Sequence, residues 1–266
     1  MIKPEPSIFE LIHTRRHLLF RTVLIELRAQ FAGAILGAAW SLAAPVGLIV
    51  LFALSAGGNG EPNSLGLSYA EYIIYISAGV IAFTSYSLAL TTGANSIAKD
   101  KQILLNAHFP AELIGLRTVI VSSVPLILGM FGMAAASLLF GIAKWTAFLV
   151  PIIILLQLIA STAIVWILSL ATLAVKDLQF ALQYLMLATI LLTPIATRYE
   201  AMPPILLAVA SLNPLLYFVR AYQDLLVFAR LPSIPMFLVC TLGSAIAFVL
   251  SAHLFKRAKR IFFEYV

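Results

Sequence analysis

Charged residues are scarce in this sequence. Only 11% of its 266 residues are Asp, Glu, Lys or Arg, whereas 62% are hydrophobic. Soluble domains carry about 25% charged residues and roughly 45–50% apolar ones. The composition therefore excludes a soluble globular domain and predicts an integral membrane protein. The single cysteine, Cys240, excludes a disulfide framework within the chain.

Motifs for ATP hydrolysis and for metal binding are missing. The sequence has no GxxxxGK[ST] stretch, no HExxH and no cysteine cluster, and its four histidines are scattered. No carboxylate falls in the middle of a predicted span, where proton-coupled carriers usually bury an ionisable residue. These absences argue against a secondary transporter and against a membrane enzyme. We expect no catalytic residue, metal or cofactor on this chain, and we expect a separate ATPase with its ATP and Mg²⁺ to drive any transport.

Six apolar runs are candidates to cross a bilayer, for which about 20 residues are needed, and the fifth of them is short. They cover residues 32–56, 72–94, 118–143, 146–175, 180–196 and 233–255. These runs predict an all-α integral membrane protein with six transmembrane helices. The expected organisation is an N-terminal segment over residues 1–31, a transmembrane domain over 32–255 and a basic tail over 256–266.

The positions of Lys and Arg predict the topology. If the N-terminus is cytoplasmic, 13 of the 17 Lys and Arg residues fall in cytoplasmic segments. Cytoplasmic segments of membrane proteins carry such an excess. We therefore expect both termini in the cytoplasm. The basic net charge then reflects topology rather than nucleic-acid binding, and we expect no nucleic-acid partner.

The N-terminal segment has the pattern of a helix of its own. Ser7 and Glu10 form a capping-box pair at its start. The apolar residues that then fall near one helical face are Ile8, Leu11, Ile12, Leu18 and Leu19. With several arginines beside this face, the pattern predicts an amphipathic helix in the cytoplasmic membrane interface, and the alternative is a solvated helix before the first span.

The segment 95–112 is the longest cytoplasmic loop expected between spans. It combines Lys99, Asp100 and Lys101 with an apolar stretch that includes Leu104. A short amphipathic helix of this kind suits docking to a soluble partner, and a solvated turn is the alternative. Lys99, Asp100, Lys101 and Leu104 are our candidates for coupling to an ATPase.

Residues 191–226 are apolar but are broken by prolines and charges. Pro194 lies about 15 residues into the fifth run, roughly 20 Å along a helix and short of the ~30 Å hydrocarbon core. Non-helical backbone at that depth must be buried in protein or face water. We therefore expect a re-entrant helical hairpin on the outer side between spans five and six, and the alternative is a fifth span with an apolar outer loop. Candidate residues of this outer gate region are Pro194, Arg198, Glu200, Asn213, Pro214 and Arg220.

Three arginines expected on the outer side, Arg198, Arg220 and Arg230, go against the expected charge bias, and we call them the outer arginines. Pairing with Glu200 and Asp224 explains them, and contact with an anionic substrate or a lipid headgroup is the alternative.

Five segments, taken in order, resemble the membrane subunit of ABC-2-type polysaccharide exporters. They are RAQFAGAILGAAWSLAAPV (28–46), FPAEL (109–113), KDLQFALQYLMLATILLTPIATRYEAMPP (176–204), NPLLYFVRAYQDLL (213–226) and FKRAKRIFFEYV (255–266). Each segment is weak alone, and their order and spacing carry the resemblance. Phe31, Ala111 and Thr193 stand where the family usually has tyrosine, arginine and serine. These departures leave the polymer open among O-antigen, capsule and teichoic acid.

The resemblance implies a homodimer in the bacterial inner membrane with two copies of a cytoplasmic ATPase. It implies a channel at the dimer interface, built largely from the first and fifth spans. A lipid-linked polysaccharide would pass outward through this channel, among membrane lipids, and the broken stretch would be the outer gate region.

Glycines and aromatic residues of the sequence fit this implied channel. Gly33 and Gly37 have the small-xxx-small spacing that allows close helix contact, so they are candidates for dimer packing. Aromatic faces grip sugar rings without specific hydrogen bonds, and the alternative for each is packing in the core or against lipid. The candidate path residues are Trp40, Phe31, Phe52, Tyr86 and Tyr184.

A polysaccharide-export permease is the function that we expect from the sequence. An ABC-2-type exporter of a drug or lipid is the alternative, and a motor-independent channel or interaction scaffold is a weaker one.

Overall fold

The computed structural model describes residues 8–35, 37–57, 66–102, 104, 109–197, 199 and 202–264, and the regular elements in these ranges are helical. Ser7, Arg198 and Glu200 lie outside the described residues. The α-helices with defined bounds, in chain order, are α1 (Ile8–Thr14), α2 (Arg16–Gln30), α3 (Trp40–Gly57), α4 (Tyr69–Ala94), α5 (Ser96–Lys99), α6 (Ala111–Ser122), α7 (Val124–Leu139), α8 (Val150–Ala174), α9 (Leu178–Leu192), α10 (Pro204–Ala210), α11 (Pro214–Leu226), α12 (Ile234–Leu238) and α13 (Ser244–Glu264).

Four stretches of the described chain are long and apolar enough to cross a membrane. They are Tyr69–Ala94, Ala111–Leu139, Trp145–Ala174 and Ile234–Ala258. Helices α10 and α11 pass the same test only together, and they meet at an angle of 101°. The predicted all-helical membrane class is therefore confirmed, with four or five candidate spans and a bent, re-entrant-like pair in the predicted place. The apolar helices of the first and fifth runs, Trp40–Leu54 and Leu178–Leu192, are shorter.

Helix α4 lies at the centre of the molecule. It begins with a capping box, because Ser68 Oγ accepts the Glu71 N–H at 3.3 Å and a Glu71 carboxylate oxygen accepts the Ser68 N–H at 2.7 Å. Helices α3, α6, α7, α8, α9 and α11 all pack against α4. The main hydrophobic core therefore surrounds it, and residues such as Ile76, Met130 and Leu225 are fully buried there.

A second core joins α8 to the last helix. Trp166 on α8 is fully buried, and its ring lies 4.9 Å from that of Phe248 and 6.1 Å from that of Phe255, both on α13. Its indole N–H donates to the Glu112 carbonyl at 2.9 Å, which adds the start of α6 to the cluster. A π-helical turn over Val239–Gly243 separates α12 from α13, and buried Cys240 lies in that turn.

The first membrane helix begins later than the apolar run from residue 32 indicates. Gly33 has a φ of +79° and Gly37 a φ of +50°, and α3 starts only at Trp40 after a 3₁₀ turn over Gly37–Ala39. Glycine adopts this left-handed backbone without the steric cost that other residues carry, so the chain leaves the helical path here. The small-xxx-small spacing therefore does not lie on one helix face, and the dimer contact of these glycines stays a prediction.

Other boundaries also differ from the apolar runs. The third stretch starts at Ala111 rather than at 118, is interrupted at Ser123, and ends at Leu139. Glu112 precedes the predicted third run, which begins at 118, but in the structure it is buried in the first turn of α6. Helix α13 continues to Glu264, so most of the predicted basic tail extends the last helix.

The N-terminal segment forms two helices rather than one, with the break at Arg15. The apolar face that the sequence indicates packs on the protein, where Ile8 and Leu19 are buried. Phe20 and Ile25 of α2 stay exposed at 64% and 65%. These exposed apolar side chains are consistent with a position at a membrane surface, and the interfacial location stays a prediction.

Close packing of α4 on α8 at Gly93 gives a test of this fold. A Cβ at Gly93 would lie 2.6 Å from both Val165 methyl carbons, whereas one at Gly132 on α7 meets nothing within 4 Å. We expect Gly93→Ala to lower the free energy of unfolding in detergent by about 1–3 kcal/mol, since overpacking forces the helices apart. Gly132→Ala is the control and should be neutral or slightly stabilising. Equal unfolding curves for the two variants would contradict the packing of α4 on α8.

Candidate functional site

A cluster of charges lies at one end of the molecule and joins three segments. Arg117 on α6 is 6% exposed, and its Nε lies 2.5 Å from a carboxylate oxygen of Glu26 on α2. This contact is an ion pair whose atoms are not aligned as a hydrogen bond. The guanidinium also donates to the Asp100 carboxylate, directly after α5. Lys99 Nζ lies 3.4 Å from Glu26, so the buried arginine and its neighbours hold α2, the α5 segment and α6 together.

The four candidate coupling residues take different positions around this cluster. Lys99 and Lys101 are exposed, as a docking surface requires. Asp100 is only 8% exposed and pairs with Arg117, so its carboxylate holds the segment in place rather than facing a partner. Leu104 packs against the apolar clusters that include Ile12 of α1. The segment is thus attached to both N-terminal helices, and its contact with an ATPase stays a prediction.

The opposite end of the molecule contains the bent pair α10–α11 and the chain before it. Pro194 is buried, and its carbonyl accepts a hydrogen bond from Gln223 Nε2 at 3.3 Å. The Thr197 carbonyl accepts from the Tyr75 hydroxyl at 2.9 Å. Protein side chains therefore pair with the carbonyl groups of this non-helical stretch, as such backbone requires at membrane depth.

Asn213 and Pro214 make the corner of the bent pair. The Asn213 side chain accepts the Leu215 N–H at 3.0 Å and so caps α11. Its amide nitrogen lies 3.5 Å from the Thr193 hydroxyl at the end of α9. Pro214 is the first residue of α11, a position where the missing N–H is no loss. The broken stretch of the sequence is thus a defined corner attached to α9.

Two of the outer arginines, Arg220 and Arg230, have partners within the protein. The Arg220 guanidinium lies 3.8 Å from the centre of the Tyr199 ring, which is a cation–π contact. Arg230 pairs with Asp224 at 2.7 Å, as the sequence predicts for one of these arginines, and it also lies over the Phe228 ring. The part of the outer gate region formed by Arg198 and Glu200 is outside the described residues, and the gate assignment stays a prediction.

The aromatic path candidates divide by exposure. Trp40 is 57% exposed and Tyr184 is 74% exposed, whereas Phe31 and Phe52 are half-buried. Tyr86 is only 4% exposed and belongs to the main core, so contact with a substrate would require a rearrangement of that core. The exposed pair lies on α3 and α9, the two short apolar helices.

Sequence reasoning missed two features of these ends. The third predicted run begins at 118 and so leaves Arg117 outside the span, although Arg117 lies more than one turn into α6, which begins at Ala111. Sequence reasoning also read the capping box at Ser7 but not the identical S-x-x-E spacing at Ser68, which the structure contains. Among the described residues, no group of three His, Cys, Asp or Glu side chains is close enough to hold a metal ion.

The charge cluster gives a second test. Arg117→Met should lower the free energy of unfolding in detergent by about 3 kcal/mol, because it leaves Asp100 and Glu26 without their shared partner. Arg21→Met, at an exposed position of α2, is the control and should change it by less than about 0.5 kcal/mol. An Arg117 variant as stable as the control would contradict the structural role of the cluster.

Comparison with known proteins identifies the family. Residues 18–227 match the family described as ABC-2 type transporter. The chain is also 24% identical to the O-antigen export system permease protein RfbA of Myxococcus xanthus, over 95% of this chain and 96% of that protein. The resemblance inferred from the five segments is thereby confirmed at the level of the family. This chain belongs to the ABC-2 type transporters, as a non-catalytic, multi-pass membrane permease.

Proposed function

We propose that this chain is the permease subunit of an ATP-driven exporter that moves a lipid-linked cell-surface polysaccharide across the bacterial inner membrane. The observation that carries the proposal is the end-to-end similarity to a permease whose name describes O-antigen export. Similarity over 95% of this chain includes α2 and the bent pair, not the apolar spans alone.

The working unit in this proposal is a homodimer with two copies of a cytoplasmic ATPase, which bind ATP and Mg²⁺. Family membership implies the ATPase partner. The ATPase would contact the exposed side chains of Lys99 and Lys101 on the cytoplasmic side. Both termini would lie on the same side.

Six spans are part of the proposal. Helices α3 and α9 would complete the four long spans, although their apolar parts, Trp40–Leu54 and Leu178–Leu192, have only 15 residues each. A helix of that length covers roughly 22 Å of the ~30 Å hydrocarbon core. Short helices of this kind suit the wall of a path shared between two subunits, where flanking chain meets protein or water instead of lipid.

The substrate path would run along α3 and α9, where exposed aromatic faces are available to sugar rings. Trp40 and Tyr184 would contact the glycan, and Phe31 and Phe52 would lie beside them. The bent pair and the chain before it would close the outer end of the path. Asn213 lies at the corner of the pair, Arg220 lies on α11, and Pro194 lies in the preceding chain.

Deletion of this gene in the native host tests the function directly. The measurement is the amount of lipid-linked glycan on each side of the inner membrane. We expect accumulation inside and loss outside. Normal glycan on both sides would contradict polysaccharide export and would favour an ABC-2-type exporter of a drug or lipid.

Trp40→Ala tests the path. We expect surface polysaccharide to fall about fivefold, since the loss of an aromatic contact is worth roughly 1 kcal/mol. Trp145→Ala is a matched control, because Trp145 is 60% exposed and Trp40 is 57% exposed, and it lies before α8 away from the proposed path. Co-purification with the ATPase should persist in both variants. Unchanged surface polysaccharide in the Trp40 variant would contradict this role.

Lys101→Glu tests the docking segment without breaking the ion pair that Lys99 makes with Glu26. We expect substrate-stimulated ATP hydrolysis to fall about threefold, which corresponds to the loss of a surface ion pair. Lys144→Glu is the control, since Lys144 is exposed beyond the end of α7 and outside this segment. Equal stimulation in both variants would count against docking through Lys101.

A further inference from the structure

A cavity of about 410 Å³ with mixed polar and apolar walls lies beside the charge cluster. Its walls come from α2, α4, α5 and α6, and most of its lining side chains carry hydroxyl, amide or charged groups. The volume is within the range of about 300–1,000 Å³ that small-ligand sites have. Asn95, next to the end of α4, lines it, and Tyr75 near the start of α4 contacts the outer stretch. Asn95 and Tyr75 are twenty residues apart, which is about 30 Å along a helix, so the two features lie towards opposite ends of α4.

The charges around the cavity are already matched. Glu26 and Asp100 are paired with Arg117, and Glu26 is also in contact with Lys99. Two carboxylates and two cations leave no net formal charge. An anion would have to displace a carboxylate from the buried arginine, and a metal cation would have to displace Arg117 or Lys99. The arrangement therefore favours an uncharged polar ligand.

The hydrogen-bonding groups of the lining suit a molecule rich in hydroxyls. The hydroxyls of Thr92 and Thr118 donate to carbonyls of their own helices at 2.6 and 3.0 Å, and the Ser96 hydroxyl donates to the Gly93 carbonyl of α4 at 2.7 Å. Each of these oxygens can still accept a hydrogen bond, although the Thr92 oxygen also lies 3.2 Å from the Ser122 hydroxyl. The side-chain amides of Gln30 and Asn95 are not hydrogen-bonded to any described residue, so they offer both donors and acceptors. Each sugar hydroxyl is itself a donor and an acceptor. Ala29, Leu88 and Val121 add the apolar contact that the C–H face of a sugar ring requires.

We infer that this cavity binds one or two sugar units of an uncharged glycan at the cytoplasmic end of the permease. The inference rests on the proposed function and adds a specific recognition site to it. A bound sugar would contact both α2 and the α5 segment, which the charge cluster holds together. Occupancy would therefore stabilise the arrangement of the same segment that we assign to ATPase docking.

Binding of a released oligosaccharide tests the inference. The probe is a short oligosaccharide of the host's surface glycan, freed from its lipid by mild acid, and the protein is the purified permease–ATPase complex in nanodiscs. Isothermal titration calorimetry gives the Kd. In the double variant Gln30→Leu/Asn95→Leu we expect the Kd to rise about tenfold, because two amides that contact the sugar are lost. Gln102→Leu, at an exposed position outside both the cavity and the proposed path, is the matched control and should keep the wild-type Kd.

A second variant tests whether any loss of binding comes from the cavity itself rather than from misfolding of the double variant. Ala29→Trp fills the cavity from an exposed position of α2 and removes no hydrogen bond, and we expect it to abolish binding. Co-purification with the ATPase reports whether each variant assembles. Inorganic pyrophosphate, which carries the charge of a diphosphate linkage, should not compete with the oligosaccharide.

The results separate this inference from the proposed function. A wild-type Kd in the assembled double and Ala29 variants, or competition by pyrophosphate, would overturn the uncharged sugar site. Loss of surface glycan in the deletion strain together with no oligosaccharide binding would overturn the site alone. Normal surface glycan in the deletion strain would overturn both the site and polysaccharide export.

Discussion

A polar side chain buried in an apolar helical protein must form its hydrogen bonds with other protein groups, because lipid tails and apolar side chains offer no donors or acceptors. Gln157 on α8 meets this constraint at the centre of the molecule. Its amide nitrogen donates to the Ala82 carbonyl of α4 at 3.1 Å, and its oxygen accepts from the Tyr222 hydroxyl of α11 at 3.0 Å. This buried chain fixes α11, and with it the bent pair, to the two central helices. The corner at Asn213 is therefore attached to a rigid frame.

The two ends of the molecule differ in what holds them. The end that contains the bent pair is held by hydrogen bonds and cation–π contacts, as at Tyr75 and Arg220, and by an ion pair between Arg230 and Asp224. Ion pairs of Arg117 hold the other end, and removing Arg117 would leave the buried Asp100 carboxylate without its partner. Helix α2, the α5 segment and α6 should therefore move together. In the proposed exporter, a force on the docking segment would reach the N-terminal helices through this cluster.

The membrane class, the approximate places of the apolar helices and the broken stretch could be predicted from the sequence, because they follow from apolar run length and from proline. The start of α3 could not be, since Gly33 and Gly37 look like helix-packing residues until their backbone angles are known. Burial of Tyr86 and of Asp100 depends on which helices pack together, and local sequence does not encode that. The partners of Arg117 come from two other segments, so no spacing in the sequence reveals them.

Reconstituted transport tests the central claim most directly. Purified permease and ATPase would be placed in proteoliposomes whose ATPase-facing leaflet carries the lipid-linked glycan, and a glycan-cleaving enzyme would report its arrival on the other side. The account predicts ATP-dependent transfer that stops when the permease is omitted and that fails for the same lipid without its glycan. No transfer, or equal transfer of the glycan-free lipid, would contradict it.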